Sequence, residues 1–436
     1  MAPTPPDPHD IAREMLAFID AAPSPFHACQ QAADRLQAVG FTEVREADAW
    51  PQGPGGHFVR RGGSLVAWSV DPHHRPHDGF RIVGAHTDSP NLRIRPRPDA
   101  GRAGFRQLAV EVYGGALLNS WLDRDLGISG RVVVRGAAGP EERLLLVPRP
   151  LLRVPQLAIH LDRDINKDGL QLNPQQHLTP VWGLGPSSPG GLASFLGREL
   201  DCAPSTILAW DLMAHDLSPS TLLGTDDELV SAPRLDNLCS SWAAVAALCR
   251  LAAEDRELTH LPVLVLFDHE EVGSTSERGA DSPLLPALLE RIVVGLGGGR
   301  EDLLRALAAS VCCSADNAHA THPNYVERHE PNHHIELNGG PVLKVNANAR
   351  YATDAASAAT FVLACEQADV PLQRYSHRGD LPCGSTIGPI TAARLGVPTV
   401  DVGAPQLAMH SARELGGSED PAHYTAALEA FLAPAP

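Results

Sequence analysis

Short apolar segments that end in histidine or acidic residues are the feature of this 436-residue sequence that most restricts its fold. The polar residues at these ends are His86 with Asp88, Glu270 with Glu271, and Asp316. In open α/β sheets the carboxyl ends of the strands meet at one edge, and ligands bind there. The pattern therefore predicts that side chains distant in the sequence converge at such an edge.

The chain between these residues alternates between strand-like and helix-like patterns. Apolar runs predict strands at 64–70, 80–85, 262–267, 310–314, 341–346 and 398–403, and apolar spacings of three and four predict helices at 11–40, 236–253, 283–294 and 354–368. Strands that alternate with helices indicate a mainly parallel sheet covered on both faces. We therefore expect an α/β fold.

A different pattern interrupts this alternation from about residue 100 to 180. Short alternating segments at 108–113, 128–135, 143–147 and 157–161 are separated by glycine and proline, as is typical of antiparallel strands. The sequence thus predicts a discontinuous α/β domain formed by 1–95 and 227–436. A β-rich domain formed by 96–226 is expected to be inserted into it.

Composition and charge exclude several classes of function. The formal net charge of −17 and the absence of a basic block argue against a nucleic-acid partner. No segment approaches the ~20 consecutive apolar residues of a membrane-spanning helix. The eight cysteines show no C-x-x-C spacing, and the proline-rich residues 1–10 lack the pattern of a secretion signal. We expect a cytoplasmic protein that binds neither membranes nor nucleic acids.

Asp236 and His410 extend the set of metal-ligand side chains. Carboxylates crowded in a half-buried site repel one another, and two Zn²⁺ ions would convert that repulsion into coordination. The three carboxylates of Asp236, Glu271 and Asp316 would leave one positive charge over, which a hydroxide would balance. Zinc also lowers the pKa of bound water to about 7. These residues indicate a two-metal hydrolase.

The adjacent glutamates are the strongest single signal, because the apolar segment 263–267 runs directly into them. An unpaired charge at the end of a buried strand is costly, so its presence needs a reason. On an extended segment neighbouring side chains point apart. One glutamate could then hold a metal ion while the other faces the water that reacts.

Six motifs in sequence order resemble those of the aspartyl aminopeptidase family of dinuclear zinc exopeptidases. They are His86-Thr87-Asp88-Ser89-Pro90, Arg234-Leu235-Asp236-Asn237, Glu270-Glu271-Val272-Gly273-Ser274, Ser314-Ala315-Asp316-Asn317-Ala318-His319, Gly384-Ser385-Thr386-Ile387-Gly388-Pro389 and Met409-His410-Ser411-Ala412-Arg413-Glu414. The resemblance spans nearly the whole chain. It implies a three-layer αβα zinc-exopeptidase domain whose β-rich insertion serves dimerisation.

The resemblance also implies the metal ligands. Asp236 would bridge two zinc ions in each subunit, His86 and Asp316 would complete one, and Glu271 and His410 would complete the other. Co²⁺ or Mn²⁺ could replace Zn²⁺ at such a site. One departure concerns His269, because relatives often carry a less basic residue at that position.

Further roles follow from the same resemblance. Glu270 would be the general base, and Asp88 would orient the imidazole of His86. His160 matches a histidine that reaches into the active site of a neighbouring subunit. The family forms dimers that commonly assemble into a tetrahedral dodecamer, which admits only peptides able to enter.

The implied activity is removal of amino-terminal residues from peptides by a metal-activated water, with a preference for Asp or Glu. The residues that match positions near the substrate are Lys344, Tyr351, Gly384 and Ser385. For Lys344 the alternative is a solvent-exposed lysine at a strand end.

Three alternatives remain open. The enzyme could be an aminopeptidase of broader specificity, or a carboxypeptidase or deacylase with the same dinuclear centre. Outside enzymes, the chain could be a self-assembling cargo or scaffold protein with a relict site. A complete ligand set argues against a scaffold, because an inert protein has no physical need for costly acids at strand ends.

Overall fold

The computed structural model describes residues 7–254 and 257–435. Residues 1–6, which begin the proline-rich start and the predicted first domain, lie outside the described residues, as do 255–256 and 436. The chain forms two compact units. The first contains the chain up to Asp88, Ser220–Met409 and the chain from Glu414 onward, and the second contains Ser89–Pro219 and His410–Arg413.

The first unit is built on a nine-stranded sheet. Its strands lie in the order Thr42–Glu43, Gly55–Arg61, Ser64–Val70, Leu261–Phe267, Phe80–His86, Val311–Ala315, Thr399–Gly403, Val342–Val345 and Gln373–Ser376. The four strands from Leu261–Phe267 to Thr399–Gly403 run parallel to one another. Antiparallel pairs join this central group to Ser64–Val70 on one side and to Val342–Val345 on the other.

Helices cover both faces of this sheet, so the first unit has the expected three-layer αβα architecture. One face packs against Pro8–Ala21, Pro25–Ala38, Leu235–Ala253, Ala355–Ala368 and Asp420–Leu432, and the other against Leu284–Gly295, Arg300–Ala308 and Ile387–Leu395. Side chains of a strand alternate between the faces. In the strand Leu261–Phe267, Leu264 and Leu266 accordingly enter the first core, whereas Val263 and Val265 enter the second.

The predicted helix at 11–40 is wrong, because the structure has two helices there, Pro8–Ala21 and Pro25–Ala38. Proline lacks an amide hydrogen and is favoured in the first turn of a helix. Pro25 accordingly begins the second helix, and the hydroxyl of Ser24 accepts a hydrogen bond from the amide of His27 at 3.4 Å. The helical spacing of apolar residues continues from the first helix into the second, so this spacing alone did not reveal the break between Ala21 and Pro25.

A small five-stranded sheet completes the first unit. Its strands lie in the order Thr221–Leu223, Leu229–Ala232, Glu414–Gly417, Pro405–Leu407 and Ala318–His319. Thr221–Leu223 therefore belongs to the first unit, so the chain returns to this unit at Ser220 rather than at the predicted residue 227.

The second unit is a six-stranded antiparallel sheet with short helices. The strands lie in the order Gly139–Leu152, Leu126–Gly136, Ile207–Asp216, Asn91–Arg102, Phe105–Tyr113 and Val181–Leu184, and the α-helices are Ile165–Asp168, Pro174–His177 and Gly191–Glu199. The first strand of this unit begins at Asn91 and pairs with Phe105–Tyr113, so the unit begins before the predicted residue 96.

The predicted strand at 157–161 is wrong. This segment contains the 3₁₀ helix Ile159–Leu161, and its apolar side chains are exposed rather than packed in a sheet. Within the described part of the chain, no strand pairs with this segment. The other 3₁₀ helices in residues 7–254 and 257–435 are Leu118–Trp121, Pro204–Thr206, Glu270–Val272 and Val326–Arg328. Among the residues described, no helix combines the length and apolar character needed to cross a membrane.

Candidate metal centre

The carboxyl ends of the central parallel strands bring the predicted ligands of the first unit together. His86 is the last residue of its strand and pairs with Phe267, the last residue of the neighbouring strand. Asp316 directly follows the strand on the other side, and its amide donates to the carbonyl of Val402 at 2.8 Å. The register of three adjacent strands thus places these ends at one sheet edge.

The imidazole of His86 lies among carboxylates. Its Nε2 is 3.4 Å from Oδ1 of Asp236, 3.5 Å from Oδ1 of Asp316 and 3.9 Å from Oε2 of Glu270. Burial by itself would lower the pKa of His86, but hydrogen bonding to these carboxylates, first of all Asp236, raises that pKa well above its ordinary value. The site therefore strongly favours positive charge at the position of Nε2.

Two groups of ligand atoms in the first unit could each hold a metal ion. One is His86, Asp236 and Asp316, and the other is His86, Glu270 and Glu271, with the ligand atoms of each group within 4.8 Å of one another. Imidazole nitrogen and carboxylate oxygen are common zinc ligands. The donor set of this unit therefore fits zinc.

Asp88 connects the strand end of His86 to the turn that carries the two glutamates. Nδ1 of His86 lies 3.0 Å from the backbone carbonyl oxygen of Asp88 and 3.5 Å from its carboxylate. The carbonyl can only accept, so Nδ1 donates, and Nε2 is the nitrogen that faces the acids. The carboxylate of Asp88 accepts from the amides of Glu270 and Glu271, both at 3.1 Å.

The two glutamates lie on a turn and not on an extended segment. They begin the 3₁₀ helix Glu270–Val272, where successive side chains are about 120° apart. The side chains of Glu270 and Glu271 were expected to point apart as neighbours on an extended strand. They point apart instead because of the rotation between successive residues of a 3₁₀ helix. The pKa of Glu270 is raised to about 8, mainly by burial; His86 opposes this rise, and neighbouring carboxylates such as Asp316 add to it.

Asp236 lies at the start of the helix Leu235–Ala253, where its backbone dihedral angles are non-helical. Its amide donates to Oε2 of the buried Glu414 at 3.0 Å, and the side chain of Asn237 donates to the carbonyl of Ala315 at 2.8 Å. These bonds fix the helix start against the strand that precedes Asp316. These bonds therefore fix the positions of two predicted ligands, Asp236 and Asp316, relative to each other.

Asn317 and Gln406 extend this network and were not predicted to have a role. The side-chain amide of Asn317 donates to the carbonyl of Leu235 at 3.0 Å and to Oε1 of Gln406 at 2.6 Å. Nε2 of Gln406 in turn lies 3.4 Å from Oε1 of Glu414. Asn317 belongs to the fourth motif, directly after Asp316, but nothing in that motif identifies the partners of its side-chain amide.

Lys344 is only 2% exposed, so the alternative of a solvent-exposed lysine is wrong. Its ammonium donates to the backbone carbonyls of Asp316 at 2.8 Å and Asn317 at 3.3 Å, and lies 3.7 Å from Oδ2 of Asp316. It also lies 5.1 Å from the ring centroid of Tyr351, within the range of a cation–π contact. The positive charge of Lys344 therefore lies next to both the backbone carbonyl and the carboxylate of Asp316, a predicted ligand.

Asp401 is a buried acid that the sequence interpretation missed. Its carboxylate accepts from the hydroxyl of Thr386 at 2.6 Å and from the amide of Ala352 at 2.5 Å. These bonds attach the segments that carry Tyr351 and Ser385 to the central strand Thr399–Gly403. The signal that could have revealed it in the sequence is an acidic residue between Val400 and Val402 in an otherwise apolar strand.

The loop segments near Tyr351 differ in burial. Tyr351 is buried, and burial, followed by a hydrogen bond to Cys383, raises the pKa of its phenol. Gly384 and Ser385 are exposed, and the hydroxyl of Ser385 donates to the carbonyl of Arg350 at 3.3 Å. The predicted substrate-binding residues thus combine a buried aromatic ring with an exposed loop.

Two predicted site residues, His410 and His160, belong to the second unit. Nδ1 of His410 donates to the carbonyl of Gly115 at 3.1 Å, so Nε2 of His410 is the nitrogen that could serve as a metal ligand. His160 lies on the 3₁₀ helix Ile159–Leu161 and is exposed. Both histidines are therefore held by the β-rich unit.

Comparisons with known proteins agree on one family. The model of the aminopeptidase I zinc metalloproteases, peptidase family M18, matches residues 18–432. A probable M18 family aminopeptidase 2 of Streptomyces coelicolor is 55% identical over 422 residues, which cover 97% of each chain. The protein of that name from Mycobacterium leprae is 57% identical over 424 residues, covering 97% of this chain and 98% of the relative.

Solved structures show the same fold. A chain in the cryo-EM structure of the Ape4 and Nbr1 complex matches with a TM-score of 0.93 and 37% identity, covering 98% of this chain and 86% of that chain. The mApe1 dodecamer of S. cerevisiae matches with a TM-score of 0.84 and 28% identity, covering 97% and 96% of the two chains.

Proposed function

The chain belongs to the M18 family of zinc aminopeptidases, and from that premise we propose that it removes amino-terminal residues from peptides with two zinc ions per subunit, preferring Asp or Glu. The family gives the class of enzyme, a zinc-dependent peptide hydrolase. The number of ions, the roles of individual residues and the preference are the proposal. The observation that carries it is the buried group of His86, Asp236 and Asp316 at the sheet edge.

Five residues would hold the metal ions. Asp236 would lie between the two ions, with His86 and Asp316 on one side and Glu271 and His410 on the other. Two observations support the assignment of His410. Its Nδ1 donates to the carbonyl of Gly115, so Nε2 is the nitrogen that could serve as a ligand, and Glu414, four residues later, accepts a hydrogen bond from the amide of Asp236. When bound, the ions supply Lewis acidity and lower the pKa of water. Co²⁺ or Mn²⁺ are possible substitutes.

Glu270 would act as the general base. Its backbone amide is held by Asp88, and its carboxylate lies 3.9 Å from Nε2 of His86, next to the group that would bind metal. In the proposed reaction Glu270 takes a proton from the attacking water and returns it to the leaving amine. Asp88 keeps the turn of Glu270 and Glu271 attached to the strand end of His86. His160 of a neighbouring subunit would stabilise the tetrahedral oxyanion.

Lys344 supports the preference for acidic residues. A lysine ammonium has three hydrogens, and two of them are directed at the carbonyls of Asp316 and Asn317. The third would bind the carboxylate of an amino-terminal Asp or Glu beside Tyr351. The second candidate is an aminopeptidase of broader specificity. It is favoured if the carbonyls of Asp316 and Asn317 already satisfy the charge of Lys344, because the lysine would then not need a substrate carboxylate.

Self-association of the second unit would complete each site with the neighbour's His160. The residues beside His160 support this: Leu157, Ile159 and Leu161 are exposed apolar side chains on a unit with its own apolar core. Exposed apolar clusters of this kind mark protein interfaces. We propose dimers that assemble into a tetrahedral dodecamer, as the dodecameric mApe1 structure suggests. A cargo or scaffold protein with a relict site would share the assembly and lack the activity.

The test is a panel of reporter peptides that differ in their amino-terminal residue, measured on zinc-reconstituted protein with chelator-treated protein as the control. We expect faster hydrolysis of reporters that begin with Asp or Glu, and loss of this advantage in Lys344→Met. A flat panel would identify the broader aminopeptidase, and cleavage of amino-blocked peptides would identify a carboxypeptidase or deacylase. Zinc-loaded protein that cleaves none of them would be the scaffold.

A cytoplasmic location stays a prediction. The eight cysteines form no disulfides, as is usual in a reducing compartment.

A further inference from the structure

The turn that carries Glu270 and Glu271 begins at a residue in the left-handed conformation. His269 has φ 67° and ψ 21°, and the 3₁₀ helix Glu270–Val272 follows it. For a residue other than glycine, asparagine or aspartate, this conformation is unfavourable, because Cβ crowds the following carbonyl oxygen. Contacts around His269 must therefore stabilise the turn, and the structure shows which residues provide them.

The first contacts come from Asp268, which is almost completely buried. Its Oδ1 accepts from the amide of His269 at 2.9 Å, and its Oδ2 accepts from Nε of Arg278 at 2.8 Å. The amide of Asp268 donates to the hydroxyl of Ser64 at 2.8 Å, and that hydroxyl donates to the carbonyl of Arg278 at 2.8 Å. Asp268 thus attaches both His269 and Arg278 to the strand of Ser64.

The imidazole of His269 closes the turn from the other side. Its Nε2 lies 3.2 Å from Nη2 of Arg278, and its Nδ1 lies 2.8 Å from the hydroxyl oxygen of Ser276. A guanidinium only donates hydrogen bonds. Nε2 of His269 is therefore the acceptor, and Nδ1 carries the hydrogen and donates to Ser276. The hydroxyl oxygen of Ser276 also accepts from the amide of Gly279 at 3.1 Å.

These contacts enclose the two glutamates. Residues 268 and 269 precede Glu270 and Glu271, whereas Ser276 and Arg278 follow them, so the bonds between the two ends close the loop. The amides of Glu270 and Glu271 are held separately by Asp88. The loop is thereby held at its two ends and at the backbone of the two glutamates, which sets the point from which both carboxylates project.

We infer that His269, Ser276 and Arg278 form a loop latch that positions Glu270 for proton transfer. The three are positioning residues, because they act through the backbone of the turn. Since the general-base role of Glu270 belongs to the proposed function, this inference rests on it. An imidazole at position 269 is useful here because one ring contacts two residues on the far side of the loop.

The experiment uses full-length zinc-loaded protein and compares His269→Asn, Arg278→Lys and the double variant. Asparagine tolerates the left-handed conformation but cannot reach both partners, and lysine keeps the charge but cannot contact Asp268 and His269 together. We expect each single variant to lower kcat about tenfold, with KM and zinc content unchanged. The double variant should lower kcat no more than the more severe single variant does, because both substitutions remove the same contact between His269 and Arg278.

A milder pair of variants keeps the test decisive if the Arg278 variants fold poorly. Ser276→Ala removes the hydroxyl that accepts a hydrogen bond from Nδ1 of His269 and should lower kcat several-fold. Ser276→Thr keeps a hydroxyl at this position and should keep kcat near normal. Thr275→Ala, at an exposed position of the same loop, is the matched control and should keep normal kcat. Unchanged kcat in the latch variants, losses that multiply in the double variant, or loss of zinc in step with kcat would each refute the latch.

Glu270→Gln, measured in the same assays, separates the latch from the proposed function. Full activity of Glu270→Gln would refute the general base. An inactive Glu270→Gln beside fully active latch variants would refute the latch alone.

Discussion

The two units of this protein differ in the binding surface that each provides. The first unit buries His86, Asp88 and Asp236 at the edge of its sheet. The second unit has fewer than half the residues of the first, yet it exposes as many large apolar side chains among the described residues: Phe105, Leu117, Leu144, Leu146, Leu157, Ile159, Leu161, Leu184 and Leu208. Buried acids need a cation, and exposed apolar clusters need a protein surface. Each unit therefore indicates what must bind to it, and the two requirements can be tested separately.

Metal removal should give the largest effect, and it should spare the strands of the second unit. Chelation should abolish peptide hydrolysis, and zinc should restore it. Without cations the carboxylates repel one another, so amide hydrogen exchange should accelerate at 235–237 and 268–274. The strands Leu126–Gly136 and Gly139–Leu152 of the second unit should keep their protection. Equal acceleration in both units would contradict this division.

Glu270→Gln should give the next largest effect and should separate catalysis from metal binding. Loss of the proton acceptor should lower kcat by about 10²–10⁴-fold, while zinc content stays that of the unchanged protein. Glu301→Gln, which changes an exposed glutamate in the first turn of a helix of the same unit, is the matched control. Activity near normal in Glu270→Gln would remove this residue from the reaction.

Leu161→Glu should give a smaller effect that begins in the second unit. Leu161 is 74% exposed next to His160, so a charge there should prevent self-association and lower kcat about tenfold through loss of the neighbour's histidine. Size and activity are measured together by light scattering and peptide hydrolysis. Leu363→Glu is the control, because Leu363 is similarly exposed, at 64%, in the first unit. Dissociation of both variants alike would show that exposure alone does not identify the interface.

Much of the first unit could be predicted because its signals are local. The strand 261–267 is apolar at every position. Among its buried neighbours, 80–86 ends in His86, and 311–315 is followed directly by Asp316. The helix break at Pro25 and the 3₁₀ turn at Glu270 were missed, since apolar spacing does not report backbone breaks. In the second unit, the alternation at 157–161 predicted a strand where no partner strand lies.

The environment of Lys344 could not be predicted. A lysine at the end of a short strand is usually exposed. Here the strand Val342–Val345 lies next to Thr399–Gly403, and Lys344 pairs in register with Asp401. That pairing joins segments more than fifty residues apart and turns two isolated charges into a buried network around Asp316. Nothing in either segment alone specifies the other.

The sequence by itself determined the order of strands and helices, the acids and histidines at the strand ends, and hence the class of chemistry, because hydrophobic periodicity and residue type act over short distances. The tertiary structure alone decided which of those groups meet. It also decided that Asp88 holds the amides of the glutamate turn, that Arg278 holds His269, and that His410 belongs to the β-rich unit. Hydrogen-bond partners depend on register and packing between distant segments, and no local pattern encodes them.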